Sequence, residues 1–252
     1  MTRYAGFVMQ QKTRALLVVI LLGIAVSATA AASDVELTRS IQRQLSKVDY
    51  GSNRPVVAVA DGVVTISGTV ASLWLKEETI NRTLKVPGIA SLVSELMITK
   101  AESDDTIVAQ VSDRIQHYDL LTLYDDIQGR VRNGVVYLGG AVTEEKKQTD
   151  LVERVSKVKG VQAIDNKIAV LPANRSDDQL RSRIATAIYR DEAFVNYSMA
   201  NPPIHVIVNN GHVTLTGIVR SDLERRKAHE AAQFVNGVLA LDDRVKLAKE
   251  VK

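Results

Sequence analysis

The sequence predicts an α+β fold of three tandem αββαβ domains, each a three-stranded mixed sheet with two helices on one face. Two observations lead to this prediction: a glycine spacing that recurs three times, and helix-type and strand-type apolar periods that recur around it. In each copy the second glycine follows the first by six positions, and the third follows by twenty more. The nine glycines are Gly62, Gly68 and Gly88; Gly134, Gly140 and Gly160; and Gly211, Gly217 and Gly237.

A β-hairpin lies at the centre of each repeat. Asp61-Gly62 and its Asn-Gly counterparts stand between alternating apolar residues, which predicts a type I′ turn because both central positions need positive φ. This register places Val59 opposite Val64 on the buried face. The second glycine lies on the same face, and its missing side chain predicts the close approach of another backbone, most simply a helix that crosses the sheet.

Helices are predicted on both sides of the hairpin. Residues 33–36, 176–179 and 221–224 read as capping boxes that begin helices. The third glycine of each copy is predicted to end the second helix in a left-handed conformation. A last strand with alternating apolar residues completes each repeat. The first helices have apolar residues at every fourth position: Leu37, Ile41 and Leu45; Ile107, Val111 and Ile115; Leu180, Ile184 and Ile188.

These elements divide the chain into three domains, at residues 33–102, 103–172 and 176–252, joined by short polar linkers. Each domain of about 70 residues is large enough to fold with a small core of its own. The apolar content of 46% is typical of globular protein.

Residues 1–32 have a different character. Three basic residues precede an apolar run from 15 to 26, and small residues follow it. This order predicts an export signal that is cleaved after Ala30 or Ala32. The alternative is an uncleaved N-terminal anchor, because residues 15–32 are nearly long enough to span a bilayer.

Charge and cysteine content narrow the function classes. Without residues 1–32 the chain has 29 basic and 29 acidic residues, so the high overall pI comes from the N-terminal segment and does not indicate nucleic-acid binding. The absence of cysteine excludes disulfides, thiolate metal sites and a cysteine-linked lipid anchor. An exported protein of this kind suits the periplasm.

The repeat resembles the BON domain, named for bacterial osmotically inducible and nodulation proteins. The resemblance rests on the hairpin with its buried glycine, on the helix that follows, and on Gly160-Val161 followed by Ile164, Asn166 and Ile168. It covers nearly all residues from 34 to 248. It implies an envelope location, no enzymatic activity, and attachment to phospholipid membranes or envelope partners, sometimes under osmotic stress. The first copy departs from the pattern, with Ser94 where the others have Asn166 and Asp243.

Catalytic and metal-binding constellations are not found in the sequence. The four histidines lack the helical spacing of a zinc site. His205 and His212 lie on opposite arms of the third hairpin and could approach one another, but exposed strand positions are favoured over metal binding. Paired aspartates fall at predicted helix starts, where caps explain them. No phosphate-binding loop motif occurs. The sequence therefore predicts no enzyme, no cofactor, no metal and no small-molecule substrate, and it leaves the oligomeric state open.

Two stretches remain as candidate binding residues. The first is Leu73, Trp74, Leu75 and Lys76, at the start of the second helix of domain 1. Three large apolar residues in a row cannot all face one core, and tryptophan beside lysine suits a bilayer interface. The alternative is that Trp74 packs on the neighbouring domain. The second stretch is Arg225, Arg226 and Lys227 in domain 3, which would attract anionic headgroups unless they form an ordinary solvated helix face.

Overall fold

The computed structural model describes residues 34–100, 103–197 and 202–250, together with the backbone of residues 18–21. Contacts divide the chain into two compact units, one that ends at Thr99 and one that begins at Lys100. The first unit holds domain 1, and the second holds domains 2 and 3.

Domain 1 has the predicted order of elements. The helices are α1 (Asp34–Leu45) and α2 (Leu73–Leu84), and the strands are β2 (Val56–Ala60), β3 (Val63–Val70) and β4 (Ser91–Ile98). A short strand β1 (Val18–Leu21) pairs antiparallel with β4. The sheet order is β1-β4-β3-β2, with β2 antiparallel and β4 parallel to β3.

Domains 2 and 3 repeat this arrangement and confirm the α+β prediction. Domain 2 contains α3 (Asp104–Gln116), β5 (Asp126–Arg132), β6 (Val135–Val142), α4 (Glu145–Ser156), β7 (Ala163–Asn166) and β8 (Ala169–Val170). Domain 3 contains α5 (Arg175–Tyr189), β9 (Ile204–Asn209), β10 (His212–Val219), α6 (Asp222–Gln233), β11 (Ala240–Asp243) and β12 (Lys246–Leu247). In both, the central strand pairs antiparallel with the strand before it and parallel with the two short strands after it.

The hairpin turns have the predicted geometry. Asp61 and Gly62 have φ of 52° and 74°, and the two Asn-Gly turns have nearly the same values. Val59 pairs with Val64 as expected, and the corresponding valines pair in the other two domains. Positive φ at both positions is the signature of a type I′ turn, so the turn chemistry read from the sequence is confirmed.

A first-turn aspartate of each domain's first helix binds the hairpin turn, a contact that the sequence analysis did not anticipate. In domain 2 the two carboxylate oxygens of Asp104 accept hydrogen bonds from the backbone N–H of Asn133 (2.7 Å) and Gly134 (2.8 Å). Asp34 and Asp177 make the same two bonds in domains 1 and 3. Each carboxylate thereby fixes the distance between the first helix and the tip of the hairpin.

The second glycine is needed for a different reason from the one predicted. A Cβ atom at Gly140 would lie 2.0 Å from the carbonyl oxygen of Asp126, and one at Gly217 would lie 2.1 Å from that of Pro203. The approaching backbone therefore belongs to the start of the neighbouring strand, and the prediction of a crossing helix was wrong. Positive φ adds a second requirement for glycine, with values of 125°, 103° and 122° at Gly68, Gly140 and Gly217.

The third glycine has positive φ in each copy, as predicted. The helix itself ends earlier, at Leu84, Ser156 and Gln233, and the glycine lies in the turn that leads to the last strand.

The boxes predicted at helix starts have mixed outcomes. Ser221 and Glu224 form a reciprocal capping box, but Asn174 rather than Ser176 caps α5.

The last strand differs between copies at one position. The side chains of Asn166 and Asp243 accept hydrogen bonds from the N–H of Ile168 (3.1 Å) and Val245 (3.0 Å), two residues further on. These local turns interrupt the strand, which is why domains 2 and 3 have two short strands there. Ser94 makes no such bond in the described part of the chain, and β4 continues through it.

Domain 2 contributes two neighbouring residues to the apolar cluster of domain 3, buried Leu123 and half-buried Tyr124. Leu123 lies in the loop between α3 and β5, yet it is 8% exposed and belongs to the apolar cluster of domain 3. Its carbonyl oxygen accepts a hydrogen bond of 2.8 Å from the N–H of Val206 in β9. Burial of a leucine and a backbone bond at a sheet edge explain why domains 2 and 3 form one compact unit.

The N-terminal prediction falls almost entirely outside the described residues. Of residues 1–32, only Val18–Leu21 are described, as the strand β1. The cleaved signal and the uncleaved anchor both remain predictions. Ser33, the proposed first residue of a capping box, also lies outside the described part.

The aspartate contact with the turn leads to a stability prediction. We expect Asp104→Ala to lower the free energy of unfolding by about 2 kcal/mol, because two backbone N–H groups lose a charged acceptor. Asp105→Ala, which removes the exposed neighbouring carboxylate, should change it by less than about 0.5 kcal/mol. Urea unfolding followed by circular dichroism measures both, and equal effects would contradict the role given to Asp104.

Candidate binding surfaces

The start of α2 holds the first predicted group of binding residues. Ser72 caps the helix, and its side chain accepts a hydrogen bond from the N–H of Leu75 (3.3 Å). Leu75 is buried in the core of domain 1, whereas Leu73 and Trp74 are half-buried. Because α2 turns by about 100° per residue, a run of three apolar residues covers both the core side and the outer side of its first turn.

Trp74 packs against the apolar core of its own domain and keeps part of its surface exposed. Lys76 follows it on the same turn, and burial lowers the pKa of its ammonium group, with Glu77 opposing the shift. A half-buried indole beside a partly desolvated lysine is an amphipathic surface. The structure thus places Leu73, Trp74 and Lys76 together on one helical turn.

The basic triplet lies on α6 of domain 3, at the positions that correspond to Lys76, Glu77 and Glu78 of α2. Arg225 and Arg226 both form ion pairs with Asp222, the former at 2.6 Å. Lys227 lies 3.7 Å from a carboxylate oxygen of Asp191. All three cations are therefore offset by acids on the same surface, which reduces the positive field available to an anionic partner. This arrangement resembles the solvated helix face considered as the alternative.

Domain 2 has a buried ion pair that the sequence analysis missed. Lys147 on α4 donates a hydrogen bond of 2.8 Å to Asp125, and the side chains are 6% and 0% exposed. Both carboxylate oxygens of Asp125 also accept bonds from the backbone N–H and hydroxyl groups of Thr122 and Thr143, at 2.8–2.9 Å. Because these hydrogen bonds offset the cost of removing the charges from water, the ion pair is tolerated in the interior.

The environment of Asp125 sets its ionisation. Burial alone would raise the pKa of its carboxyl group, but the hydrogen bonds from Lys147, Thr143 and Thr122 outweigh burial and lower the pKa below its ordinary value. Asp125 also ends the loop that carries Leu123 into domain 3. The ion pair thus holds the C-terminal end of the loop that inserts Leu123 into domain 3.

Among the residues that the structure describes, histidines and acids do not assemble into a metal site. His205 pairs with Thr216 across the hairpin and His212 pairs with Asn209, so the two histidines lie four positions apart along the ladder and do not approach one another. No group of three or more potential metal ligands occurs within the described ranges. The same ranges contain no helix long and apolar enough to cross a membrane.

A profile of the BON domain matches three segments of the sequence, at residues 33–100, 103–172 and 176–249. These segments cover most of the chain and coincide with the three αββαβ repeats. The chain belongs to the BON domain family. BON domains are known from proteins of the cell envelope, and the three copies here differ in what they place on the first turn of the second helix.

Other comparisons add little to this assignment. No curated protein matches the chain. Two solved structures of CdsD, a structural protein of the type III secretion system of Chlamydia trachomatis, are similar over 85% and 86% of this chain and 95% and 99% of theirs, with 15% and 16% identity and a TM-score of 0.25. The periplasmic domain of the type III secretion inner-membrane protein PrgH from S. typhimurium is similar over 77% of this chain and 92% of its own, at 10% identity and a TM-score of 0.21.

The buried ion pair of this BON protein leads to a second stability prediction. We expect Lys147→Met to lower the free energy of unfolding by about 3 kcal/mol at pH 7, because Asp125 loses its buried counter-ion. Lys146→Met removes the neighbouring, exposed lysine and should cost less than about 1 kcal/mol. Urea unfolding of both variants tests the difference.

The pH dependence has a defined sign. Because the folded-state pKa of Asp125 is lowered, its stabilising contribution is complete above the ordinary aspartate pKa of about 4 and is lost as the pH falls towards the folded value. The difference in the free energy of unfolding between wild type and Lys147→Met should therefore decrease below about pH 4. A gap independent of pH would contradict this account.

Proposed function

We propose that this protein is an exported, non-enzymatic protein of the periplasm that binds phospholipid membrane surfaces through its BON domains and contributes to protection under osmotic or envelope stress. The proposal includes the N-terminal export signal and the three domain boundaries predicted from the sequence. The single observation that supports it is the amphipathic first turn of α2, with half-buried Leu73 and Trp74 beside Lys76.

Membrane association through this turn has a physical basis. Tryptophan favours the headgroup region because its ring is apolar and its N–H is polar. A lysine near an anionic surface adds about 1 kcal/mol, which salt weakens. Arg225, Arg226 and Lys227 would add to the attraction only to the extent that the surface outcompetes Asp222 and Asp191.

Vesicle binding tests the proposal. With vesicles of phosphatidylglycerol and phosphatidylcholine at low salt, we expect the full chain to co-sediment and the emission of Trp74, the one tryptophan of the sequence, to move to shorter wavelength. Trp74→Ala should reduce the bound fraction several-fold. Because the cations are already paired, Arg225→Gln/Arg226→Gln/Lys227→Gln should have the smaller effect.

The matched control is Leu223→Ala, since Leu223 is exposed at the position of α6 that corresponds to Trp74 in α2. It should leave vesicle binding unchanged. If neither sedimentation nor the emission spectrum responds to anionic vesicles at low salt, the membrane proposal is wrong.

A second candidate function is that of a protein–protein interaction scaffold in the periplasm. One observation favours it: domain 3 already accepts a segment of domain 2 at the edge of its sheet, through Leu123 and Val206. An edge strand that binds a neighbouring segment within one chain can bind one from another protein.

Cross-linking in intact cells separates this candidate from the first. We expect a photo-activated cross-linker at the exposed residue Ala58 in β2 to give a discrete product with a protein partner, and one at Asp105 on α3 to give none. A protein that remains monomeric with the cross-linker at Ala58 would exclude the scaffold.

A further inference from the structure

Domain 3 shows how a BON domain of this chain receives a protein segment. The groove between α5 and the edge strand β9 holds Leu123 of domain 2. The carbonyl oxygen of Leu123 bonds the outward N–H of Val206, and the apolar cluster around its side chain includes Ala185 and Ile188 of α5. The groove therefore takes one backbone bond and one buried apolar side chain, with Tyr124 packed against the same cluster.

The equivalent place in domain 1 is an open groove of about 810 Å³ between α1 and the edge strand β2. Counting from the aspartates that bind the turns, Gln42 and Leu45 correspond to Ala185 and Ile188. Both line this groove. Of these two counterparts in domain 1, Gln42 is exposed and Leu45 is a core residue whose edge borders the open groove.

The edge strand β2 also presents a backbone donor to a further strand. Val57, which lines the groove, pairs with Ile66 as Val206 pairs with Leu215, four residues before an equivalent turn. The two N–H groups therefore point the same way, outward from the sheet. Val206 uses this donor for Leu123, whereas among the described residues Val57 donates no backbone hydrogen bond outside the sheet ladder. An unpaired donor on an edge strand is a site for strand addition.

The rim of the groove differs in charge between the two domains. Three arginines line it in domain 1, and domain 3 has uncharged residues at the same positions. Among the described residues, Glu36 is the one acid that lines the groove, and it lies 3.5 Å from one arginine and 3.2 Å from another. An excess of positive charge remains beside the open edge. The corresponding pairs are Arg39 and Ser182, Arg43 and Thr186, and Arg54 and Pro203.

We propose that the groove between α1 and β2 of domain 1 binds an extended acidic segment of a partner protein as an added strand. A carbonyl oxygen of the segment accepts the N–H of Val57, and a large apolar side chain lies on Leu45 and Tyr50. Aspartate or glutamate residues beside it pair with the arginines of the rim. This inference specifies the partner of the scaffold candidate and does not depend on membrane binding.

The chain itself provides a probe of the right chemistry. Residues 117–128 contain Leu123 together with three aspartates, Asp119, Asp125 and Asp126. A fluorescein-labelled peptide of this sequence is titrated with the full chain, without vesicles, and binding is followed by fluorescence anisotropy. We expect saturable binding, and much weaker binding of a scrambled peptide of the same composition.

Two groups of variants locate the site. Val57→Pro removes the outward donor at an edge position that tolerates proline, and Arg39→Ser/Arg43→Thr installs the uncharged rim of domain 3. Each should weaken peptide binding about tenfold. The matched controls are Gly129→Pro, at the same position in the edge strand of domain 2, and Lys85→Ser/Lys100→Ser, which removes two exposed charges elsewhere. Both controls should leave binding unchanged.

Several results would overturn the inference. Equal binding of the scrambled peptide, or full binding by Val57→Pro, would exclude strand addition. If the arginine variant bound the peptide normally but lost binding to phosphatidylglycerol vesicles, the groove would recognise lipid headgroups. Self-association of the wild type in sedimentation velocity, abolished by Val57→Pro, would make the occupant a second copy. Circular dichroism checks that Val57→Pro is folded, and the arginine variant retains the test if it is not.

Discussion

The contact between one carboxylate and one tight turn organises each domain. The hairpin reverses through two residues with positive φ, which leaves two backbone N–H groups at its tip without partners in the sheet. A first-turn aspartate of the first helix accepts both, as Asp104 does in domain 2. This contact sets where the helix crosses the sheet. The groove lies between that helix and the edge strand.

The three domains share this contact and the same order of helices and strands, and they differ in the side chains at other positions. At the thirteenth position after the turn glycine, domain 1 has Leu75 in its core, domain 2 has Lys147 in a buried ion pair, and domain 3 has Glu224 in a capping box. All three side chains are satisfied, each by a different interaction. A common backbone therefore carries an apolar, a cationic and an anionic residue at one site, and the surfaces beside it diverge accordingly.

The groove between the first helix and the edge strand is occupied in domain 3 and open in domain 1. In domain 3 their groove is filled by Leu123, and the loop that supplies it is held at its base by Asp125 and Lys147. In domain 1 the same groove is open and bordered by arginines. The groove of domain 3 thus makes a contact within the chain, whereas the groove of domain 1 is open to a different molecule.

Most of the fold was determined by the sequence alone. A turn with positive φ at both central residues favours Asn-Gly or Asp-Gly, and apolar periods of two and about four residues distinguish strand from helix. The turns, registers and helix faces therefore follow from short stretches of chain. What only the tertiary structure decided are the contacts between residues far apart in sequence. The strand that crowds Gly140, the carboxylate of Asp104 at the turn, the pairing of Asp125 with Lys147 and the insertion of Leu123 into domain 3 each depend on where the chain returns in space. No local pattern encodes that position.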